Sequence, residues 1–129
     1  MSTLNELAKE CHSNARDKGF YDNAPKYDPM DRSFDSTNYR MTHFSLIAEE
    51  AMEGQTAARK GTLEEPCGKV VLGPTIGYDV EMSNVAEELA DIIIRALDSS
   101  VYFGVDIEKA VQLKMLYNSK RPKMHGKLR

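Results

Sequence analysis

Apolar residues recur at helical spacing in four parts of this chain, and each of these parts ends at a residue that stops a helix. The spacing predicts helices over residues 3–18, 43–60, 84–103 and 107–120. Gly19, Gly61 and Gly104 follow the first three, where a left-handed residue commonly ends a helix. Pro122 lies just beyond the fourth. We therefore expect an all-α fold whose four main helices form a helical bundle core.

The connecting segments differ from one another in composition. Residues 20–41 predict a polar loop that is rich in aromatic side chains, and residues 61–83 predict a loop rich in Gly and Pro. A short hairpin is expected around Gly73 and Pro74. The whole chain has 129 residues, which corresponds to one domain spanning residues 1–129.

Charge is distributed unevenly along the chain. The formal net charge is −3, but residues 1–108 carry all 20 acids with 10 bases, whereas residues 109–129 carry seven bases and no acid. The acidic body makes duplex nucleic acid or an anionic membrane a poor partner. The basic end of the sequence instead favours a phosphate-bearing ligand.

The chain has two cysteines, Cys11 and Cys67, which do not form a C-x-x-C motif. This spacing indicates neither a disulfide framework nor a thiolate metal site. The first 16 residues lack the uninterrupted apolar stretch of a signal peptide, and the strongest apolar run, at 92–94, is too short to cross a bilayer. We therefore expect a cytoplasmic protein without a membrane segment.

Two pairs of acids are candidates for a metal site. Glu50 falls within the apolar stripe of the second helix, and Glu53 lies one turn later. Glu88 and Asp91 repeat this spacing on the third helix, so antiparallel packing can bring the pairs together. Two unit charges about 5 Å apart repel by about 3 kcal/mol at an effective dielectric constant near 20. Such a cluster needs cations, and oxygen ligands favour Mg²⁺ or Mn²⁺. In the alternative, these are boundary carboxylates in ordinary ion pairs, for which Arg95 is available.

The third helix also has an apolar side that predicts the core and a polar side that predicts a solvated face. The apolar side comprises Val85, Leu89, Ile92, Ile93 and Ala96, and the polar side comprises Glu88, Asp91, Arg95 and Asp98.

The last helix carries cations on its apolar stripe. Lys114 and Asn118 are four residues apart, and Arg121 follows one turn later. Lysine meets a phosphate as a point charge, and arginine bonds two phosphate oxygens at once. These side chains therefore predict a phosphate-binding surface, or else direct ion pairs with the carboxylates.

Three motifs in order resemble those of the MazG-like all-α nucleoside triphosphate pyrophosphohydrolases, in the branch that includes phage proteins. They are EEAMEG, EELADIIIRALD and KMLYNSKRPKMHGK, within residues 43–60 and 84–127. The matching positions are Glu49, Glu50 and Glu53, then Glu88 and Asp91, then Lys114, Asn118, Arg121, Pro122, His125, Gly126 and Lys127. HSNARDKGFYD, from residue 12 to residue 22, is similar to a segment of one subgroup, whereas residues 62–83 match no pattern of the family.

This resemblance implies hydrolysis of a (d)NTP to its monophosphate and pyrophosphate. It implies that Mg²⁺, with Mn²⁺ as a substitute, is held by Glu50, Glu53, Glu88 and Asp91. Glu49 is then placed to orient or deprotonate the attacking water, and Lys114 and Arg121 to offset phosphate charge. The resemblance also implies a homodimer or homotetramer that completes the helical core.

Base recognition is assigned to the N-terminal segment, since the other helices already carry the metal and phosphate groups. His12 and Asn14 can donate to a base edge, and Asp98 can accept from a sugar hydroxyl or a base amine. We expect a purine substrate, with dGTP as the first candidate. In the alternative, His12 and Asn14 satisfy local backbone groups.

Two other functions remain open at this point. The first is a non-catalytic helical interaction module whose charged residues are ordinary solvated faces. The second is single-stranded nucleic-acid binding by the basic C-terminal tail. The net charge of −10 over residues 1–108 and the lack of interleaved basic and aromatic residues argue against the second.

Overall fold

The computed structural model describes residues 2–72 and 77–122. Its elements, in chain order, are α1 (Leu4–Asp17), α2 (Phe34–Lys60), β1 (Val70–Leu72), β2 (Gly77–Asp79), α3 (Asn84–Tyr102) and α4 (Ile107–Ser119). The protein is therefore all-α with four main helices, as predicted, and β1 and β2 pair as the short hairpin that was expected in this region. Gly73 and Pro74, and the motif residues His125, Gly126 and Lys127, lie outside the described residues. No described helix combines the length and the apolar character that crossing a bilayer requires.

Three of the four helices begin and end close to the predicted positions. The C-terminus of α2 is Gly61, whose φ of 73° is left-handed and whose N–H donates to the Ala58 carbonyl. Asp106 caps α4 by accepting a hydrogen bond from the Lys109 N–H. At the start of α3 the cap is Ser83, whose hydroxyl accepts from the Ala86 N–H. Asn84 is the first residue of α3.

The start of α2 differs from the prediction by nine residues. The helix begins at Phe34, so the last part of the expected 20–41 loop is helical. Ser33 caps it by accepting from the Ser36 N–H, and the Arg40 guanidinium bonds the carbonyl groups of Asp28 and Asp31. These bonds hold the preceding chain against the first turns of the helix. Apolar spacing does not reveal them, because Phe34 is 79% exposed and marks no core face.

The chain divides into two compact units, and the boundary falls within α3. The terminal unit comprises residues 1–27 and 97–129. In it α1 packs against α4, and the backbone N–H of Leu4 donates to Glu108 Oε1 at 3.0 Å. Ala8 and Leu97 are its buried apolar residues, only 2% and 3% exposed.

The central unit comprises residues 28–96 and contains α2, the hairpin and the first part of α3. Backbone hydrogen bonds continue the pairing of the two strands away from the turn, and they join Val80 to Lys69, Cys67 to Met82 and Val85 to Leu63. We call residues 63–72 and 77–85 the ribbon. Its last bonds join it directly to the first residues of α3, which fixes where the ribbon lies relative to that helix.

Burial on α3 follows the prediction only in part, since Val85, Ile92 and Ala96 are half-buried. Leu89 and Ile93, expected in the core, are 56% and 52% exposed. Asp98, expected on a solvated face, is only 8% exposed, and Ser99 and Ser100 beside it are buried as well. Asp98 finds hydrogen-bond partners inside the chain, whereas the described residues cover the apolar side only in part.

Candidate active site

Carboxylates of α2 and α3 converge in the central unit. Glu50, Glu53 and Glu88 each offer a carboxylate oxygen, and the three oxygens all lie within 4.8 Å of one another. We call these residues the acid triad. Gly54 lies beside it on α2, and a Cβ built there would be 3.5 Å from Glu88 Cβ, so the two helices are in close contact. The predicted convergence of the two acid motifs is therefore present for these three side chains.

The negative charge of Glu88 is unfavourable at its position in the acid triad. Burial raises the pKa of its carboxyl above the usual range, and the charges of Glu53 and Asp91 raise it further. Its Oε2 atom is shielded from solvent and has no hydrogen-bond partner among residues 2–72 and 77–122. A shielded oxygen without a partner is costly, because it loses its bonds to water without replacement. This atom is therefore a vacant acceptor in a negatively charged site.

Asp91 is not a member of the acid triad, but the charge of Glu50, a member of the triad, acts on its carboxyl group. Burial is the main cause that raises the pKa of its carboxyl, followed by the charge of Glu50. The cations Arg95 and Lys69 act in the opposite direction. The negative charges of Asp91 and of the acid triad therefore repel one another.

One cation reaches the triad from within the unit. Arg95 Nε lies 3.3 Å from Glu50 Oε1, and the two side chains are only 27% and 14% exposed. This ion pair joins α3 to α2, and it is the alternative in which Arg95 pairs with a boundary carboxylate. Glu49, the candidate for handling the attacking water, is exposed on α2 beside Glu50.

The donor set of the triad is suitable for a hard divalent cation. All three ligands are carboxylate oxygens, which Mg²⁺ and Mn²⁺ prefer. Around one Mg²⁺, adjacent ligand oxygens are about 3 Å apart and opposite ones about 4.2 Å, so the three side chains, whose oxygens lie within 4.8 Å of one another, would have to move closer to bind one ion. The vacant Glu88 oxygen gives the same indication independently, since a cation would supply the partner that it lacks.

The predicted phosphate-binding side chains lie at the end of α4, in the terminal unit. Lys114 Nζ lies 4.6 Å, and Arg121 Cζ 5.4 Å, from the centre of the Tyr117 ring. Two cations thus share one aromatic ring. Asn118, between them in sequence, has a shielded Oδ1 atom without a hydrogen-bond partner in the described part of the chain. Lys114 and Arg121 are therefore together, as their spacing predicted.

The residues expected to recognise the base form a hydrogen-bonded cluster in the terminal unit. Asp98 Oδ1 lies 2.8 Å from His12 Nδ1 and accepts a hydrogen bond of 2.8 Å from the Tyr21 hydroxyl. His12 therefore makes a long-range contact rather than satisfying local backbone. Asn14 is exposed. The Asp98 oxygen that was expected to bind substrate is already shared by two protein groups.

Lys69 was missed by the sequence reasoning. Its ammonium lies 3.4 Å from Glu87 Oε1, next to the acids of α3, and the side chain is 65% exposed. It belongs to the segment that matches no family pattern, and its position depends on strand pairing across the ribbon. The expected hairpin was the one signal that pointed to this region.

No protein-family model, curated protein or solved structure matches this chain. The functional argument accordingly rests on the motifs and on the geometry of the acid triad.

Proposed function

We propose that this protein hydrolyses a nucleoside triphosphate to the monophosphate and pyrophosphate in a reaction that requires Mg²⁺. The observation that carries the proposal is the acid triad, in which α2 and α3 bring together three carboxylates and leave one shielded oxygen without a partner. The order of the three sequence motifs supports the same function. We propose the cytoplasm as its location and control of the nucleotide pool as its role.

In this proposal Glu50, Glu53, Glu88 and Asp91 hold the cation. When bound, Mg²⁺ would neutralise charge on the triphosphate and lower the pKa of a water molecule. Glu49, exposed beside Glu50, would orient that water or accept its proton. The water oxygen forms a bond to the α- or the β-phosphorus while the bond from that phosphorus to the oxygen bridging the two breaks, so that pyrophosphate leaves in the first case and the nucleoside monophosphate in the second. Attack at the α- or the β-phosphorus yields the same two products.

Lys114 and Arg121 are proposed to offset phosphate charge, and Asn118 to bond the substrate. The shared Tyr117 ring supports this, since it keeps the two cations close together. The first substrate to try is a purine deoxynucleotide, dGTP.

The metal requirement provides the first test. Pyrophosphate release from the eight common (d)NTPs should stop in EDTA and return with Mg²⁺ or Mn²⁺. Glu10→Gln, which removes an exposed acid of α1, is the matched control and should retain the wild-type rate. Turnover that persists in EDTA would contradict the proposed site.

A homodimer or homotetramer is the proposed assembly. It is supported by the exposed apolar side chains of α3, where Leu89, Ile93 and Ile94 are each 46% exposed or more. Ile93→Lys places a charge on this surface and should convert the assembly to monomers in sedimentation velocity. Lys109→Glu, on exposed α4, is the control for a charge change elsewhere. A wild-type protein that is monomeric at all working concentrations would rule this assembly out.

The same exposed surface is what favours the second candidate, a non-catalytic interaction module. That function predicts no turnover of any (d)NTP and no dependence on divalent cations. The substrate panel therefore distinguishes the two.

A further inference from the structure

The ribbon has a cavity of its own, of about 450 Å³. This volume lies within the range of about 300–1,000 Å³ that is typical of small-molecule sites. Pro66, Val80 and Met82 are apolar residues of its lining, and Glu64 and Glu81 also line it. Such a lining suits an uncharged body that has apolar faces and hydrogen-bond donors at its edge.

Lys69 borders this cavity and also reaches the acids of α3. It is part of the cavity lining, and its ammonium lies 3.4 Å from Glu87 Oε1. Its charge is also felt at Asp91, where it opposes the rise in the pKa of that carboxyl. Lys69 therefore links the lining of this cavity to Glu87, the residue before Glu88 of the acid triad, within the central unit.

The charges fix how a ligand would lie across this region. Glu64 and Glu81 would repel a phosphate chain from the cavity, whereas their oxygens can accept hydrogen bonds from base amino groups or sugar hydroxyls. Phosphates are favoured at the other end, beside Lys69 and the cation that the acid triad would hold. Backbone hydrogen bonds join the ribbon to the start of α3. They hold the cavity in a fixed position relative to the acids of that helix.

We infer that the ribbon cavity holds the nucleoside of the substrate and that Lys69 contacts the phosphate chain where it leaves the acid triad. This inference rests on the proposed function, because it assumes a nucleoside triphosphate at the triad. It moves base recognition from the N-terminal segment to the ribbon, consistent with the Asp98 oxygen being bonded to His12 and Tyr21.

The experiment compares two bulky substitutions on the ribbon. Val80→Trp fills the cavity, whereas Val71→Trp adds the same ring to an exposed ribbon position that does not line it. Binding of two probes is measured by calorimetry in Mg²⁺: α,β-imido-dGTP, and inorganic triphosphate, which has no nucleoside. Val80→Trp should raise the Kd of the nucleotide analogue about tenfold or more. It should leave triphosphate binding unchanged, and Val71→Trp should change neither.

Lys69 is tested with the same two probes. Lys69→Gln should weaken both severalfold, because both present phosphates, and Lys69→Arg should restore both. Equal affinities of Val80→Trp and Val71→Trp for the analogue would overturn the nucleoside site. Unchanged binding of triphosphate by Lys69→Gln would overturn the phosphate contact.

Mn²⁺ titration separates failure of the inference from failure of the proposed function. All four ribbon variants should bind Mn²⁺ as the wild type does, which shows that the triad is intact. Wild-type protein that binds neither Mn²⁺ nor either probe would refute the proposed function together with this inference. Tight wild-type binding that Val80→Trp leaves unaffected would refute the inference alone.

Discussion

Two carboxylates of α3, ten residues apart, are placed in opposite circumstances. Asp98, in the terminal unit, is 8% exposed, and its Oδ1 atom has both His12 and Tyr21 as partners. Glu88, in the central unit, has a shielded oxygen with no partner within the described ranges, and burial together with the neighbouring acids raises its pKa. Burial alone therefore does not mark a functional acid. What distinguishes the central unit is a shielded carboxylate whose bonding requirement is unmet.

The largest expected effect concerns catalysis in the central unit. Glu53→Gln and Asp91→Asn should each reduce pyrophosphate release by about 100-fold or more, because each removes a charge that the proposed cation requires. The measurement is kcat/KM with Mg²⁺, and Glu10→Gln serves again as the control. Full turnover in both variants would show that the unmet bonding of the triad has no catalytic meaning.

The next largest effect concerns stability in the terminal unit. Asp98→Ala should lower the free energy of unfolding by about 2–3 kcal/mol, because it leaves the His12 and Tyr21 groups without their acceptor. Tyr21→Phe should cost about 1 kcal/mol. Urea unfolding followed by circular dichroism measures both, and the double variant should show that the two losses are not additive. Strict additivity would mean that the Tyr21 hydroxyl bond to Asp98 contributes nothing.

The smallest effect has the opposite sign and sharpens the contrast. Glu88→Gln should raise the thermal midpoint of metal-free protein at pH 7, because it removes a charge that burial and neighbouring acids disfavour. The pKa of Glu88 is raised in the folded state, so the folded protein binds this proton more tightly than the unfolded chain does. Stability is then lost as the pH rises from the ordinary pKa through the raised one, and the penalty is complete above it.

The gain from Glu88→Gln should therefore be present at pH 7 and vanish in acid, below the ordinary carboxyl pKa. Thermal melts in EDTA at the two pH values measure it. A variant that is less stable than wild type at pH 7 would mean that Glu88 has a stabilising partner.

Much of the fold follows from the sequence, because local signals decide it. The ends of α1, α3 and α4 follow from apolar spacing and from stop residues such as Gly104. The start of α2 does not, because the bonds from Arg40 to the carbonyl groups of Asp28 and Asp31 arise only once the chain has folded back. The apolar side of α3 predicted a core, but spacing alone does not show whether this chain covers that side.

The candidate site follows from the sequence only in part. Glu50 was expected to face inward because it lies within an apolar stripe, and its side chain is 14% exposed. The position of Lys69 depends on hydrogen bonds between residues that are distant in sequence, and no periodic pattern specifies their register. Asp98 was placed on a solvated face because its partners, His12 and Tyr21, are more than 75 residues away.

The ion pair between Arg95 and Glu50 gives the acid triad a counter-ion that is part of the protein itself. A chelator can strip a divalent cation from the protein, but it leaves this guanidinium in place, 3.3 Å from the Glu50 oxygen. Binding of the proposed divalent cation would then replace Arg95 as the partner of Glu50, and its affinity would be lower than a site without this counter-ion would give. The chain can therefore fold without a metal ion, because Arg95 already offsets part of the repulsion within the acid triad.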